Sequence, residues 1–352
     1  MWAARRAGAS TAASSARHQW RSSGAAAMMG VGAGCCGGFC SSRSASAAAT
    51  ASAAATPPSF KLACIQLSVG VDKEANLASA KAKVAAAAAA GAELVMLPEI
   101  FNSPYSNDAF PVYAEELPPA TPIEAGKSPS ATMLREAARE HNIFLVGGSV
   151  PEREGDRIFN TCMVFGPTGE LVAKHRKTHL FDIDIPGKMT FKESETLTGG
   201  NQLTLFEGPH GVKAGVAICY DMRFPEMAQI AQQEGARVML YPAAFNTTTG
   251  PHHWELLQRA RAIDNLIFVA TASPARSESP EGYQAWGHST VVDPWGEVVA
   301  TTEHTEDIVY AQLDFGRQDE VRGQIPILTQ KRTDVFSPAI HLNDEALALG
   351  KL

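Results

Sequence analysis

Three residues of different chemistry stand in equivalent places along this chain. Glu99 follows the apolar run LVMLP, Lys177 closes LVAKHRK and Cys219 ends KAGVAIC. Each lies just past the carboxyl end of a segment that reads as a strand, the edge where α/β folds place their chemistry. A carboxylate, an ammonium and a thiol meeting there would form a nucleophilic site. The thiolate attacks, and a nearby ammonium together with a helix amino terminus favours that thiolate. The carboxylate can take the thiol proton and later activate the water that hydrolyses a thioester. The ammonium and the backbone N–H after the cysteine can hold an oxyanion. Spacing alone does not bring the three together, and each has a structural alternative. Cys219 could be a small core residue, Lys177 a solvated strand end within His-Arg-Lys, and Glu99 a cap on the following turn.

The elements that must position them run from Phe60 onward as one domain. Phe60–Val69 reads as a buried strand, Ala75–Ala90 as a helix stopped by Gly91, and Glu93–Leu97 as a short strand ending at Pro98-Glu99. A Pro-rich loop at 117–129 leads to a helix over Ser130–His141 and a strand over Ile143–Val150. Ile158–Phe165 pairs with Glu170–Lys174 across Gly166-Pro167-Thr168-Gly169, and Leu203–Phe206 pairs with Lys213–Cys219 across a second Gly-Pro turn. Then follow a helix over Pro225–Glu234, a strand over Arg237–Tyr241, a helix over Trp254–Asn265 and a strand over Leu266–Ala272. A hairpin over 288–301 and a strand over Ile308–Leu313 complete the pattern. Hairpins mixed with strand-helix-strand units imply mixed sheets with helices on their outer faces. There is no internal repeat and no interior linker.

Composition bounds the remainder. The chain has 352 residues, 45% hydrophobic and 19% charged, enough for a sizeable core. Its net charge of −7 argues against a general nucleic-acid binder. No apolar run is long enough to cross a membrane. Residues 1–56 hold five arginines and no Asp or Glu, and most of the rest is Ala, Ser and Gly. The remaining chain has 25 basic residues (30 less those five) against 37 acidic ones, a net of −12. A basic, acid-free leader on an acidic body is the composition of an organellar transit peptide, with a disordered tail as the alternative. Arg5-Arg6 favours the mitochondrion over the chloroplast; without an address the protein would stay in the cytoplasm. The six cysteines, at 35, 36, 40, 64, 162 and 219, follow neither disulfide-framework nor zinc spacing.

The segments LPEIFNSPYSNDAF, KHRKTHLFDIDIPGK, GVAICYDMRFPEMA, YPAAFNTTTGPHHWELLQRARAIDN and ATASPARSESPEGYQAWGHSTVVDPWGEVVA resemble the nitrilase (carbon-nitrogen hydrolase) superfamily, and within it the omega-amidase branch. The resemblance spans roughly 60–336, in order and without large insertions. It implies an α/β fold, a four-layer α-β-β-α sandwich forming a single catalytic domain over 57–336, and a homodimer in which the partners' sheets stack. A tail over 337–352 completes the dimer interface or trails in solvent. The resemblance also implies a Glu-Lys-Cys triad without cofactor. Glu99 is then the general base, Lys177 the oxyanion cation and Cys219 the nucleophile, while Glu193 in TFKESETL orients the lysine.

The omega-amidase branch hydrolyses the terminal amide of 2-oxoglutaramate and 2-oxosuccinamate, releasing ammonia. Such a substrate carries a carboxylate far from the scissile amide, and a guanidinium fits it best. Arg223, four residues after Cys219, is the candidate; its structural alternative is an ion pair with Asp221 or Glu226. Tyr105, Phe181 and Trp286 are candidate pocket walls, or core aromatics. Nitrile-cleaving members usually carry Trp-Glu after the cysteine, where this chain has Tyr220-Asp221. Pro225 and Ala243 depart from the branch's pattern without touching the triad. The alternatives are an amidase acting on deaminated glutathione or N-carbamoylputrescine, and a catalytically idle dimeric binding scaffold.

Overall fold

The computed structural model describes residues 58–117, 128–332, 334–335 and the backbone of 347–349. The expected transit peptide at 1–56, most of the Pro-rich loop and most of the tail lie outside these residues. Along the chain run β1 (Phe60–Gln66), α1 (Lys73–Ala89), β2 (Leu94–Met96), α2 (Ala109–Tyr113), α3 (Pro129–His141), β3 (Phe144–Val146), β4 (Val150–Glu154), β5 (Arg157–Phe165) and β6 (Leu171–Arg176). Next come β7 (Asp182–Ile185), β8 (Met189–Lys192), β9 (Leu203–Glu207), β10 (Lys213–Val216), α4 (Pro225–Gln233), β11 (Val238–Pro242), α5 (Gly250–Asn265) and β12 (Phe268–Ala272). The chain continues through β13 (Thr290–Val292), β14 (Val298–Thr301), β15 (Asp307–Leu313), α6 (Phe315–Gln324) and β16 (Leu347–Leu349).

Among the described residues, the strands form two seven-stranded sheets and a two-stranded ribbon. The first sheet has the order β15-β1-β2-β3-β5-β4, with β6 also on β5; the second runs β14-β13-β12-β11-β10-β9-β16. Each is parallel at its centre, β1-β2-β3 in one and β10-β11-β12 in the other, and antiparallel outside it except at β16, which runs parallel to β9.

Side-chain alternation builds the layers. In β1, Leu62 and Cys64 face a core shared with Val216, Leu240 and Ala270 of the second sheet, while Ala63 and Ile65 face Ala80 and Val84 of α1 and Leu134 of α3. On the far side, Met239 and Val269 pack on Ala228 and Ala231 of α4 and Ala262 of α5. Strands buried on both faces read as unbroken apolar runs. The outcome is the expected four-layer α-β-β-α sandwich.

The expected strand over 143–150 is two strands, because Gly147 and Gly148 break it. Gly148 has φ +58°, and a Cβ there would stand 2.2 Å from the carbonyl oxygen of Pro98. The chain therefore passes directly under the loop that carries Glu99. Ser149 then receives that loop, its Oγ accepting from Ile100 N–H at 3.0 Å and its carbonyl from Phe101 N–H at 3.2 Å. Cys219 lies beyond the strand expected to hold it: β10 stops at Val216 and residues 219–223 form a single 3₁₀ turn. The β7–β8 hairpin at Pro186-Gly187 and helices α2 and α6 were not anticipated. The ribbon's alternation (DIDI, then MTFK) is half exposed and too short to stand out.

Gly148→Ala should cost about 3 kcal/mol, combining backbone strain with displacement of Pro98. It should also lower turnover by moving Glu99. Urea unfolding and steady-state kinetics on the variant check both; wild-type values of both would mean that the loop yields freely.

Candidate active site

Glu99, Lys177 and Cys219 lie at the ends of β2, β6 and β10, and the facing of the two sheets brings those ends to one place. Lys177 is the centre. It is fully buried, its Nζ donates to Glu99 Oε1 at 2.9 Å and to Glu193 Oε1 at 2.9 Å, and Tyr105 Oη lies at 3.5 Å. Its backbone is clamped as well: its N–H donates to the Asn160 carbonyl at 2.8 Å, and its carbonyl accepts from Gly200 N–H at 2.8 Å. Burial opposes the ammonium, but Glu193 and then Glu99 outweigh it, holding its pKa well above that of an ordinary lysine.

The two carboxylates are held differently. Glu193 is saturated: Tyr105 Oη donates to it at 2.5 Å and Phe181 N–H at 2.7 Å, besides Lys177. Glu99 Oε1 accepts from Lys177 and from Asn160 Nδ2 at 2.9 Å, whereas its Oε2 is buried without a hydrogen-bond partner. Burial raises the Glu99 pKa; Lys177 lowers it and Glu193 raises it again, leaving it above the ordinary carboxylate value. One carboxylate is thus tied down, and the other keeps an oxygen available for a proton.

Cys219 is 4% exposed and has φ +45°, a left-handed conformation that a non-glycine residue adopts only when its surroundings enforce it. Burial and then Glu99 push its thiol well above the ordinary range, with Lys177 acting in the opposite direction. The resting thiol is therefore held neutral, with Glu99 and Lys177 beside it. Cys64 and Cys162 are buried too, and burial raises both of their thiols, but neither has a basic partner at the site.

The surrounding residues divide between two cavities. Cys219 and Arg223 line one narrow pocket of about 10 Å³ with Phe181, Phe245 and Thr249. Arg223 stacks over Phe245 at 4.7 Å and reaches His253 Nδ1 at 3.1 Å, while its Nε is unpartnered. It forms no ion pair with Asp221 or Glu226 among the described contacts. A wider cavity of about 770 Å³ reaches Glu99, Tyr105 and Tyr283 from the other side. Trp286 lines neither; it covers Gly250 and stacks on His288 at 4.4 Å. Sequence reading passed over Asn160 and Tyr283. Tyr283 packs against Tyr105 with the rings tilted and their centroids 4.6 Å apart, and it donates to the Ala244 carbonyl at 2.6 Å. An asparagine inside an apolar strand was a visible signal for Asn160; Tyr283 sits in a Gly-rich loop and carried none. Among the described residues, no cluster of His, Cys, Asp or Glu is arranged to hold a metal, and no helix is long and apolar enough to cross a membrane.

A buried carboxylate–ammonium pair thus stands beside a cysteine at the strand ends of an α-β-β-α sandwich. Residues 61–322 match the Carbon-nitrogen hydrolase family, and the chain belongs to it. It is 55% identical over 284 residues to the chloroplastic omega-amidase of Arabidopsis thaliana, covering 80% of this chain and 75% of that one. It is 51% identical to the omega-amidase NIT2 of Homo sapiens over 279 residues, covering 79% of this chain and 97% of the other. The crystal structure of Saccharomyces cerevisiae Nit3, a member of branch 10 of the nitrilase superfamily, superposes with a TM-score of 0.70 at 43% identity, covering 78% of this chain and 97% of that one.

If Glu99 must be ionised to accept the thiol proton, kcat/KM falls as pH drops through its raised pKa. The acid limb should then lie above the ordinary glutamate value of about 4.3. A pH–rate profile checks this, and an acid limb at or below that value would mean another group is the base.

Proposed function

We propose that this chain is an omega-amidase, hydrolysing the terminal amide of 2-oxoglutaramate or 2-oxosuccinamate to 2-oxoglutarate or oxaloacetate and ammonia. The observation that carries the chemistry is the sealed Glu99–Lys177–Glu193 cluster beside a neutral, strained Cys219. The relatives named omega-amidase, at half or more of all aligned positions, support the substrate class.

In this reaction the free Oε2 of Glu99 takes the Sγ proton as the sulfur attacks the amide carbon. The carbonyl oxygen gains negative charge, and the Lys177 ammonium, fixed by two carboxylates, stabilises it without reorganising. Glu99 returns the proton to the departing nitrogen, ammonia leaves and a thioester remains. Glu99 then deprotonates a water that attacks the thioester; the acid departs and the thiol is restored. Glu193 keeps Lys177 charged and aimed, and Tyr105 keeps Glu193 in place.

Arg223 is the proposed anchor for the far carboxylate of the substrate. It shares a pocket with Cys219, is flanked by the Phe245 face and has donor capacity left over. Phe181 and Thr249 would bound the same pocket, and Tyr105 the side facing Glu99. A homodimer would cover Leu256 and Ile263, which stand 66% and 45% exposed seven residues apart on α5. The leader over 1–56 is proposed as an organellar address. The chloroplastic Arabidopsis thaliana relative supports an organelle, while Arg5-Arg6 is the feature that favours the mitochondrion.

Ammonia release by protein starting near residue 57 should be at least about tenfold better in kcat/KM on 2-oxoglutaramate than on deaminated glutathione or N-carbamoylputrescine, about 1.4 kcal/mol of discrimination. Cys219→Ala should abolish it with the fold intact. Preference for another amide would overturn the substrate, and near-wild-type turnover in a folded Cys219→Ala would overturn the nucleophile. No turnover on any amide with Cys219 reduced would favour the scaffold. Arg223→Lys should raise KM for keto-acid amides about tenfold while sparing neutral amides, because an ammonium cannot reproduce the two-pronged contact. An unchanged KM would remove Arg223 from the pocket.

A further inference from the structure

The hydrolysis described above leaves one strongly held charge beside the site without a task, the carboxylate of Asp221. It is fully enclosed and collects hydrogen bonds from two directions. From its own turn, Ile218 N–H donates to Oδ2 at 2.9 Å. From the segment carrying the lysine, His179 donates through its backbone N–H and its Nδ1, both at 2.8 Å, and His175 Nε2 lies at 3.2 Å. A carboxylate only accepts, so both imidazole nitrogens present their protons to it. His175 is held in turn by Thr204 Oγ1 at 3.0 Å from its Nδ1.

The spacing of these partners matters. Ile218 and Asp221 bracket Cys219, and His175 and His179 bracket Lys177 two residues to either side. One buried charge therefore fastens the nucleophile's turn to the end of β6. A second stitch runs alongside, the His179 ring stacked on Phe224 at 3.6 Å with 10° between the planes. Burial alone would raise the Asp221 carboxyl, but the hydrogen bonds from His175 and His179 outweigh it and hold the group far below the usual carboxylate range. The clasp is thus ionised at neutral pH. Cys219 needs such a restraint, since its φ of +45° is not one the backbone would keep unaided.

We propose that Asp221 is a positioning residue for the reaction: its carboxylate sets the register between the Cys219 turn and the Lys177 strand end, so that sulfur and ammonium reach the same carbonyl group. The inference rests on Cys219 as nucleophile and Lys177 as oxyanion cation. Asp221 touches neither the substrate nor the reacting atoms; it acts through its hold on two segments that approach from different sheets.

The test compares wild type with Asp221→Asn, His179→Phe, His179→Asn and Cys219→Ala in the full chain. Three readouts are taken: kcat and KM on 2-oxoglutaramate, the iodoacetamide labelling rate of each cysteine by mass spectrometry, and the thermal midpoint. Asp221→Asn should lower kcat about a hundredfold with KM changed less than about threefold, the mark of misplacement rather than lost binding. Cys219 labelling should slow about tenfold or more in parallel, while Cys64 and Cys162 stay protected. His179→Phe keeps a ring over Phe224 and removes only the Nδ1 donor, so a fall of about tenfold is expected. His179→Asn restores an N–H donor near that position and should recover part of the loss.

A folded Asp221→Asn within about twofold of wild-type kcat and labelling rate would overturn the proposal. So would a loss of kcat accompanied by labelling of Cys64 and Cys162, because Asp221 would then support the whole fold rather than the site. If Cys219→Ala retains turnover, the nucleophile assignment fails on its own. The labelling arm still decides the clasp, slower Cys219 labelling in Asp221→Asn supporting it and unchanged labelling overturning it.

Discussion

An ammonium enclosed between two carboxylates is the constraint on which the site depends. Transferring one charge into a protein interior is costly, and Lys177 is tolerated there because Glu99 and Glu193 each approach to 2.9 Å. The arrangement carries one negative charge more than it neutralises, so the carboxylates must also be hydrogen-bonded. Asn160, Tyr105 and the Phe181 N–H supply those bonds. Meeting this requirement draws together the loop after β2, the end of β6, an interior position of β5 and the turn after β8. None of these segments can shift without leaving a buried charge uncompensated.

The two sheets make that convergence possible. Their parallel centres turn the ends of β2 and β10 toward one another across a shared apolar core, and β6 brings Lys177 in from the edge of the first sheet. Glycine at 148 lets the chain pass under Pro98, so the Glu99 loop rests directly on backbone. Close packing of this kind fixes where Glu99 stands to within fractions of an ångström.

Burial also shapes the chemistry in a way that residue types do not suggest. The same exclusion of water that keeps Lys177 rigid raises both the Cys219 thiol and the Glu99 carboxyl. A neutral thiol thus stands beside a carboxylate with one uncommitted oxygen. The cysteine is thereby spared from standing as a thiolate. Glu193, saturated with donors, cannot exchange roles with Glu99 even though the two carboxylates grip the same ammonium.

The local pattern determined a good deal by itself. Unbroken apolar runs and Gly-Pro turns placed nearly all the central strands and the helices α1, α3, α4 and α5, and they put Glu99, Lys177 and Cys219 at or just past strand ends. Those features depend on nearest neighbours and on periodicity, which a chain displays without folding. The long motifs around the three residues further marked the family. What the tertiary structure alone decided is which side chains meet and in what charge state. Asp221 and His179 are 42 positions apart and Tyr105 and Glu193 are 88 apart, so their hydrogen bonds leave no periodic trace. The break at Gly147-Gly148, the left-handed Cys219 and the neutral thiol likewise arise from close approach and exclusion of water, physical effects that exist only once distant segments have packed.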